Sequence, residues 1–157
     1  MYKKILVPLD GSKLAESALP HAEELAKGCG TGEIILVSVT ERVQGYRAIE
    51  DPSLPLGQRL VPEASGKKEK PAERYLGRIA KKMESKGFKV NQEVLIGDPA
   101  SEIVSYASHP GCDIIVMSSH GRSGPSRWAY GSVADKVFRA TCVPVLMVRA
   151  PGCVAGV

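Results

Sequence analysis

Short apolar runs, each too brief to make a helix, recur along this chain, and between them the apolar residues switch to helical spacing. Ile5-Leu6-Val7, Ile34 to Val39, Ile114 to Met117 and Val143 to Val148 are nearly unbroken hydrophobic stretches, as expected of strands covered on both faces. Ala15, Ala18, Leu19, Ala22, Leu25 and Ala26 recur at helical spacing, as do Ala72, Leu76, Ile79, Ala80 and Met83, and then Ala100, Ile103, Val104 and Ala107. Val90 to Ile96 alternates apolar and polar residues, so this strand belongs at an edge or has one exposed face. Alternation of this kind implies an α/β fold, a single doubly wound, mostly parallel five-stranded sheet with helices on both faces, and the order expected for its strands is 3-2-1-4-5.

Length and composition agree with one domain. A chain of 157 residues, 43% apolar and 24% charged, can bury a core of its own; the expected domain spans residues 1–150, followed by a flexible tail at 151–157. The net charge of +4 comes without a Lys/Arg block, which argues against a nucleic-acid partner. Met1-Tyr2-Lys3-Lys4 leads directly into a strand, without the hydrophobic core of a signal peptide, and no stretch approaches membrane-spanning length. Cys29, Cys112, Cys142 and Cys153 are scattered without a CxxC pair, which fits a reduced, cytoplasmic protein and makes Cys142 a buried packing residue.

Several local signals set the element boundaries. Ser12 is placed to cap the first helix, and Pro20 predicts a bend near residues 16 to 20. Gly28, Gly30 and Gly32 have GxGxG spacing and lie after a helix and before a strand, the reverse of a dinucleotide-binding loop, so they read as a helix stop and turn. Asp98 and Pro99 form a matched helix start. Residues 41–68, interrupted by prolines at 52, 55 and 62 and glycines at 45, 57 and 66, show no periodicity and read as a long loop insertion, mobile or functional, or one hiding a short helix.

In a doubly wound sheet, ligands bind beyond the carboxyl ends of the strands where the strand order reverses. Two loops leave strands there: Pro8 to Ser12, and Ser118 to Ser132, which runs into a helix expected over about 132–140. The second is rich in glycine and serine and precedes a helix, a combination that suits an anion because backbone N–H groups and the helix dipole converge on it. There is no GxxxxGK(S/T) loop, and no acidic pair ends the first strand, since Asp10 stands alone there. His120 adjoins Gly121, but no nucleophile with an orienting acid accompanies it, so it reads as a histidine that shapes the loop. Trp128 and Tyr130 read as aromatics that pack the loop.

The residues Ile5-Leu6-Val7-Pro8-Leu9-Asp10-Gly11-Ser12, Gly97-Asp98-Pro99 and Cys142-Val143-Pro144-Val145 resemble the universal stress proteins along nearly the whole chain. The nucleotide-binding branch of that family carries Gly-x2-Gly-x9-Gly-(Ser/Thr). Gly121, Gly131 and Ser132 match this signature, while Ser118 stands at its first glycine. The resemblance implies ATP with Mg or Mn, the metal held mainly by the phosphates. It places Pro8, Leu9 and Asp10 near base and ribose, and the Val39 backbone at the adenine edge. It surrounds ribose and phosphates with Gly121, Arg122, Ser123, Gly131 and Ser132, and Met117, Ser118, His120 and Val133 complete the expected contacts. Arg127 is a further candidate for screening the phosphates. It also implies a regulatory homodimer paired through strand 143–148, only partly because of Pro144, with at most slow hydrolysis. Two alternatives stay open. Ser118 allows a nucleotide-independent interaction module, and an ATP-using enzyme on a related sheet ranks last because the Ser-Gly-Gly-x-Asp-Ser loop of such enzymes is absent.

Overall fold

The computed structural model describes residues 2–48, 52–55, 60–66, 68–109, 111–120 and 131–149. Its central sheet contains β1 (Lys4–Pro8), β2 (Glu33–Thr40), β5 (Val90–Ile96), β6 (Ile114–Ser118) and β7 (Val145–Val148). The strands lie in the order β5-β2-β1-β6-β7, and every pair is parallel. Counted along the chain within this sheet, that is the expected 3-2-1-4-5 order, with β5 at one edge in keeping with its alternation.

Strand side chains alternate between two cores. Ile5, Val7, Ile34, Leu36, Ile114 and Val116 face one side, covered by α1 (Lys13–Glu16), α2 (Leu19–Cys29) and α3 (Glu69–Glu84). Leu6, Ile35, Val37, Ile115 and Met117 face the other, covered by α4 (Pro99–Ser108) and α5 (Ser132–Ala140). The switch in strand order therefore falls between β1 and β6, where helices leave toward opposite faces. Among the described residues no helix is long and apolar enough to cross a membrane.

Local chemistry explains the boundaries. Ser12 Oγ accepts the Ala15 N–H at 3.1 Å and starts α1. The bend expected at Pro20 is a complete break: α1 ends at Glu16, and α2 begins at Leu19 with the proline in its first two positions, where a missing N–H costs no helical bond. Asp98 caps α4 by accepting from the Ser101 N–H at 3.1 Å, with Pro99 at the helix start. Gly30, with φ of 61°, closes α2 in the left-handed conformation. β7 begins after Pro144, which has no N–H to give the ladder, although its carbonyl accepts the Ile115 N–H at 2.9 Å.

Two expectations need correction. Residues 41–68 form neither an unstructured loop nor a hidden helix in their described parts: β3 (Arg42–Ala48) and β4 (Leu60–Gly66) pair antiparallel as a separate ribbon. Pro62 sits opposite Tyr46 in that ribbon, a position tolerated because a two-stranded ribbon consists only of edges. Cys142 is exposed rather than buried, because it lies in the turn joining α5 to β7 and not in a core-facing strand.

At the amino ends of the strands the polar groups are tightly paired. Asp113 accepts the backbone N–H groups of Lys3 and Lys4 at 2.7 and 2.8 Å, which ties the start of β6 to the start of β1. These two bonds, that of Lys4 first, hold its carboxyl below the usual carboxylate range. Thr31 donates to the Tyr2 carbonyl at 2.6 Å.

A candidate nucleotide cleft at the carboxyl end of the sheet

A cleft of about 450 Å³ opens where β1, β2 and β6 end, within the size range of small-molecule sites. From β1 and the turn after it come Pro8, Leu9 and Asp10. Asp10 Oδ1 accepts the Ser12 N–H at 2.9 Å and the Ser12 hydroxyl at 2.6 Å, which fixes the carboxylate at the strand end. The Leu9 N–H donates to the Val37 carbonyl at 2.8 Å, carrying the β1–β2 pairing to the lip of the cleft.

β6 and the two residues after it supply the floor on the other side of the switch. Met117, Ser118, Ser119 and His120 all line the cleft, and the last three are buried polar residues. The Ser119 hydroxyl and His120 Nδ1 lie 3.0 Å apart, a contact that orients the imidazole. Ser119 also holds the strand end in place, since its N–H donates to the Val148 carbonyl at 2.7 Å and its carbonyl accepts the Gly131 N–H at 2.8 Å. Ser118 has an ordinary strand backbone, because no described non-glycine residue has positive φ. Glycine's conformational freedom is therefore not needed at this position.

Gly131, Ser132 and Val133 bring the start of α5 to the same cleft. A β-carbon at Gly131 would lie 3.2 Å from the Ser119 carbonyl oxygen, so the close approach of helix and strand end favours glycine there. As the N-cap residue it has no side chain to satisfy the first-turn N–H groups, and the positive end of the helix dipole is left facing the cleft.

Val39 lines the cleft from β2. All the described residues expected from the sequence thus converge on one opening, whereas Gly121, Arg122 and Ser123, together with Arg127, Trp128 and Tyr130, lie outside the described residues. The sequence reading missed a second group, Thr40, Glu41, Lys68 and Ala72, which bring the start of α3 to the far end of the cleft. Thr40 Oγ1 accepts the Lys68 N–H at 3.0 Å and joins the end of β2 to the start of α3. Pro99 and Ile103 of α4 line the cleft from the other face. Asp98-Pro99 was legible as a helix start, but only the three-dimensional fold shows that this start borders the cleft.

Behind Asp10, a cluster of charged and phenolic groups anchors α1 to α3. Glu16 meets Lys13 Nζ at 2.9 Å, accepts from the Tyr75 hydroxyl at 3.3 Å and lies 3.7 Å from Arg78. Burial opposes ionisation of Glu16, but the Lys13 hydrogen bond and charge, with Tyr75 and Arg78, hold its carboxyl below the usual range. Burial, then the charge of Glu16, pushes the Tyr75 phenol well above its ordinary value. Among the described residues no group of three His, Cys, Asp or Glu side chains gathers as a metal cage.

The cleft therefore offers a fixed carboxylate, buried hydroxyls, an uncapped helix start and an apolar wall from Val37, Val39, Ile103 and Met117. A family model described as the universal stress protein family matches residues 1–149. Universal stress protein MJ0577 of Methanocaldococcus jannaschii is 35% identical over 164 residues, covering 95% of this chain and 96% of that protein. Universal stress protein YxiE of Bacillus subtilis is 32% identical over 154 residues, covering 95% and 100%. The solved structure of MJ0577, described as a structure-based assignment of biochemical function, aligns with a TM-score of 0.75 at 32% identity, covering 97% of this chain and 99% of that one. A universal stress protein in complex with cAMP shares the fold, with a TM-score of 0.65 at 19% identity, covering 94% of this chain and 97% of that one.

Proposed function

The chain belongs to the universal stress protein family, and we propose that it is an adenine-nucleotide-binding regulator that takes ATP, with Mg or Mn, in the cleft at the carboxyl end of the sheet. The observation that carries this reading is the meeting of Asp10, Val39, Ser118 and Gly131 at one opening, from separate strands and a helix start. The parts suit the parts of a nucleotide. The apolar wall of Val37, Val39, Ile103 and Met117 accommodates a base, the Asp10 carboxylate accepts from sugar hydroxyls, and the uncapped start of α5 attracts phosphate. A divalent ion would ride on the phosphates.

The protein acts in this reading as a cytoplasmic homodimer. β7 is the outer strand beside β6, and its Val145, Leu146 and Met147 are only partly buried, so pairing with a second copy would cover an apolar edge. Hydrolysis, if measured, is slow.

The test is calorimetric titration and thermal melting of the purified protein with MgATP, MgGTP and cAMP. Saturable ATP binding and a rise in melting temperature that exceeds the GTP effect are expected, because a ligand at a hundred times its Kd stabilises by about 2.7 kcal/mol. No shift at millimolar MgATP would overturn the reading. Light scattering should return twice the 16.8 kDa chain mass.

A further inference from the structure

Ser118 ends β6 with a hydroxyl that is buried, lines the cleft and has only long partners. The residue is 6% exposed. Its Oγ lies 3.4 Å from Ser17 Oγ and 3.4 Å from the His120 N–H, well beyond the usual separation of about 2.7–2.8 Å for a hydroxyl pair. Ser17 has one hydroxyl proton, and the Leu14 carbonyl takes it at 2.6 Å. The Ser118 proton is left, among the described residues, with no short acceptor. A buried hydroxyl in this state gains most from an acceptor brought by a ligand.

The neighbourhood decides which ligand oxygen that is. β1 and β6 are adjacent parallel strands, with Leu6 beside Ile115, so Asp10 and Ser118 leave neighbouring strand ends into one cleft. Phosphate oxygens beside the Asp10 carboxylate would meet like charge, whereas a sugar hydroxyl can donate to the carboxylate and accept from a serine. Phosphates are better placed at the start of α5, where the uncapped N–H groups are. We infer that Ser118, which replaces a glycine of the family signature, is a specificity-determining residue whose hydroxyl donates to a ribose hydroxyl oxygen of the bound nucleotide, with Asp10 accepting from the same diol. The inference rests on the nucleotide reading of this cleft and deepens it.

Calorimetric titration of wild type, Ser118→Ala and Ser118→Gly with ATP, 2′-deoxy-ATP and 3′-deoxy-ATP tests it. Wild type should prefer ATP over at least one deoxy analogue. Both variants should bind ATP roughly tenfold more weakly and lose that preference, with unchanged affinity for the analogue that lacks the contacted hydroxyl. Melting curves identify a variant that is misfolded, and the ratio of ATP to deoxy-ATP affinity within the folded protein is independent of the folded fraction. Variants that keep the wild-type preference, or a Ser118→Gly protein that binds ATP more tightly than wild type, would overturn the role of Ser118 alone. A wild-type protein that binds none of the three overturns the nucleotide reading and this inference together.

Discussion

At the amino end of the sheet Asp113 takes two backbone N–H groups at 2.7 and 2.8 Å, and Thr31 reaches the Tyr2 carbonyl at 2.6 Å. At the carboxyl end the Ser118 hydroxyl meets its neighbours only at 3.4 Å, and the start of α5 has no side-chain cap. Both ends are made of the same strands and both hold polar groups by short bonds, Asp10 to Ser12 at the carboxyl end among them, but at the carboxyl end a hydroxyl with long contacts and an uncapped helix start also border a cleft. The difference follows from topology. At the amino ends the chain returns from helix to strand through tight turns, and at the carboxyl ends the strands separate toward opposite helix layers and leave an opening between β1 and β6. Substitutions at the amino end should therefore change stability without changing affinity, and substitutions at the carboxyl end should chiefly change affinity.

The largest expected effect comes from the middle of the sheet, on which both ends depend. Ile115 is fully buried in β6 between β1 and β7, and Ile115→Ala should cost about 2–5 kcal/mol in urea denaturation. A loss below about 1 kcal/mol would show that β6 is not packed as a central strand.

The next substitution separates the two ends. Asp10→Ala should weaken ATP binding roughly ten- to a hundredfold, because a hydrogen bond to a charged acceptor is lost from the cleft. Its melting point should fall as well, because the Ser12 N–H and hydroxyl lose their acceptor, but by no more than that of Asp113→Ala, since the Ser12 cap on Ala15 remains. A different pattern is expected of Asp113→Ala: a stability loss of about 1 kcal/mol from two N–H groups left to water, with ATP affinity unchanged. If Asp10→Ala destabilised the fold more than Asp113→Ala, the division of labour between the ends would fail.

The same contrast explains what the sequence made legible. The central strands were readable because burial on both faces leaves an unbroken apolar run, and β5 because an edge strand alternates. The ribbon was not, since Arg42–Ala48 and Leu60–Gly66 include Gly45 and Pro62, which interrupt any strand-like run in the sequence. In the cleft, Asp10 and Gly131 could be located because they lie in the loops that leave strand ends at the switch point, and Val39 only through the resemblance to the universal stress proteins. Thr40 and Lys68 could not, because the bond between them spans the whole ribbon and only the folded chain brings them together.

The smallest expected effect is a pH dependence confined to the amino end. The Lys4 and Lys3 N–H bonds keep the Asp113 carboxyl below its usual value in the folded protein. A group with a lowered folded pKa contributes stability that is present above its unfolded value, about 3.9, and is lost as pH falls through the folded value. Asp113→Asn removes this titration while keeping an acceptor in place. The gap in urea midpoint between wild type and Asp113→Asn should therefore be largest at neutral pH and narrow as the pH falls below about 4. Asp98, lowered by the Ser101 N–H and hydroxyl, titrates in the same direction in both proteins, so it cancels in the difference. A gap that stayed constant down to acid pH would mean that the Asp113 bonds do not distinguish carboxylate from carboxylic acid, and the amino end would owe its closure to packing rather than to this charge.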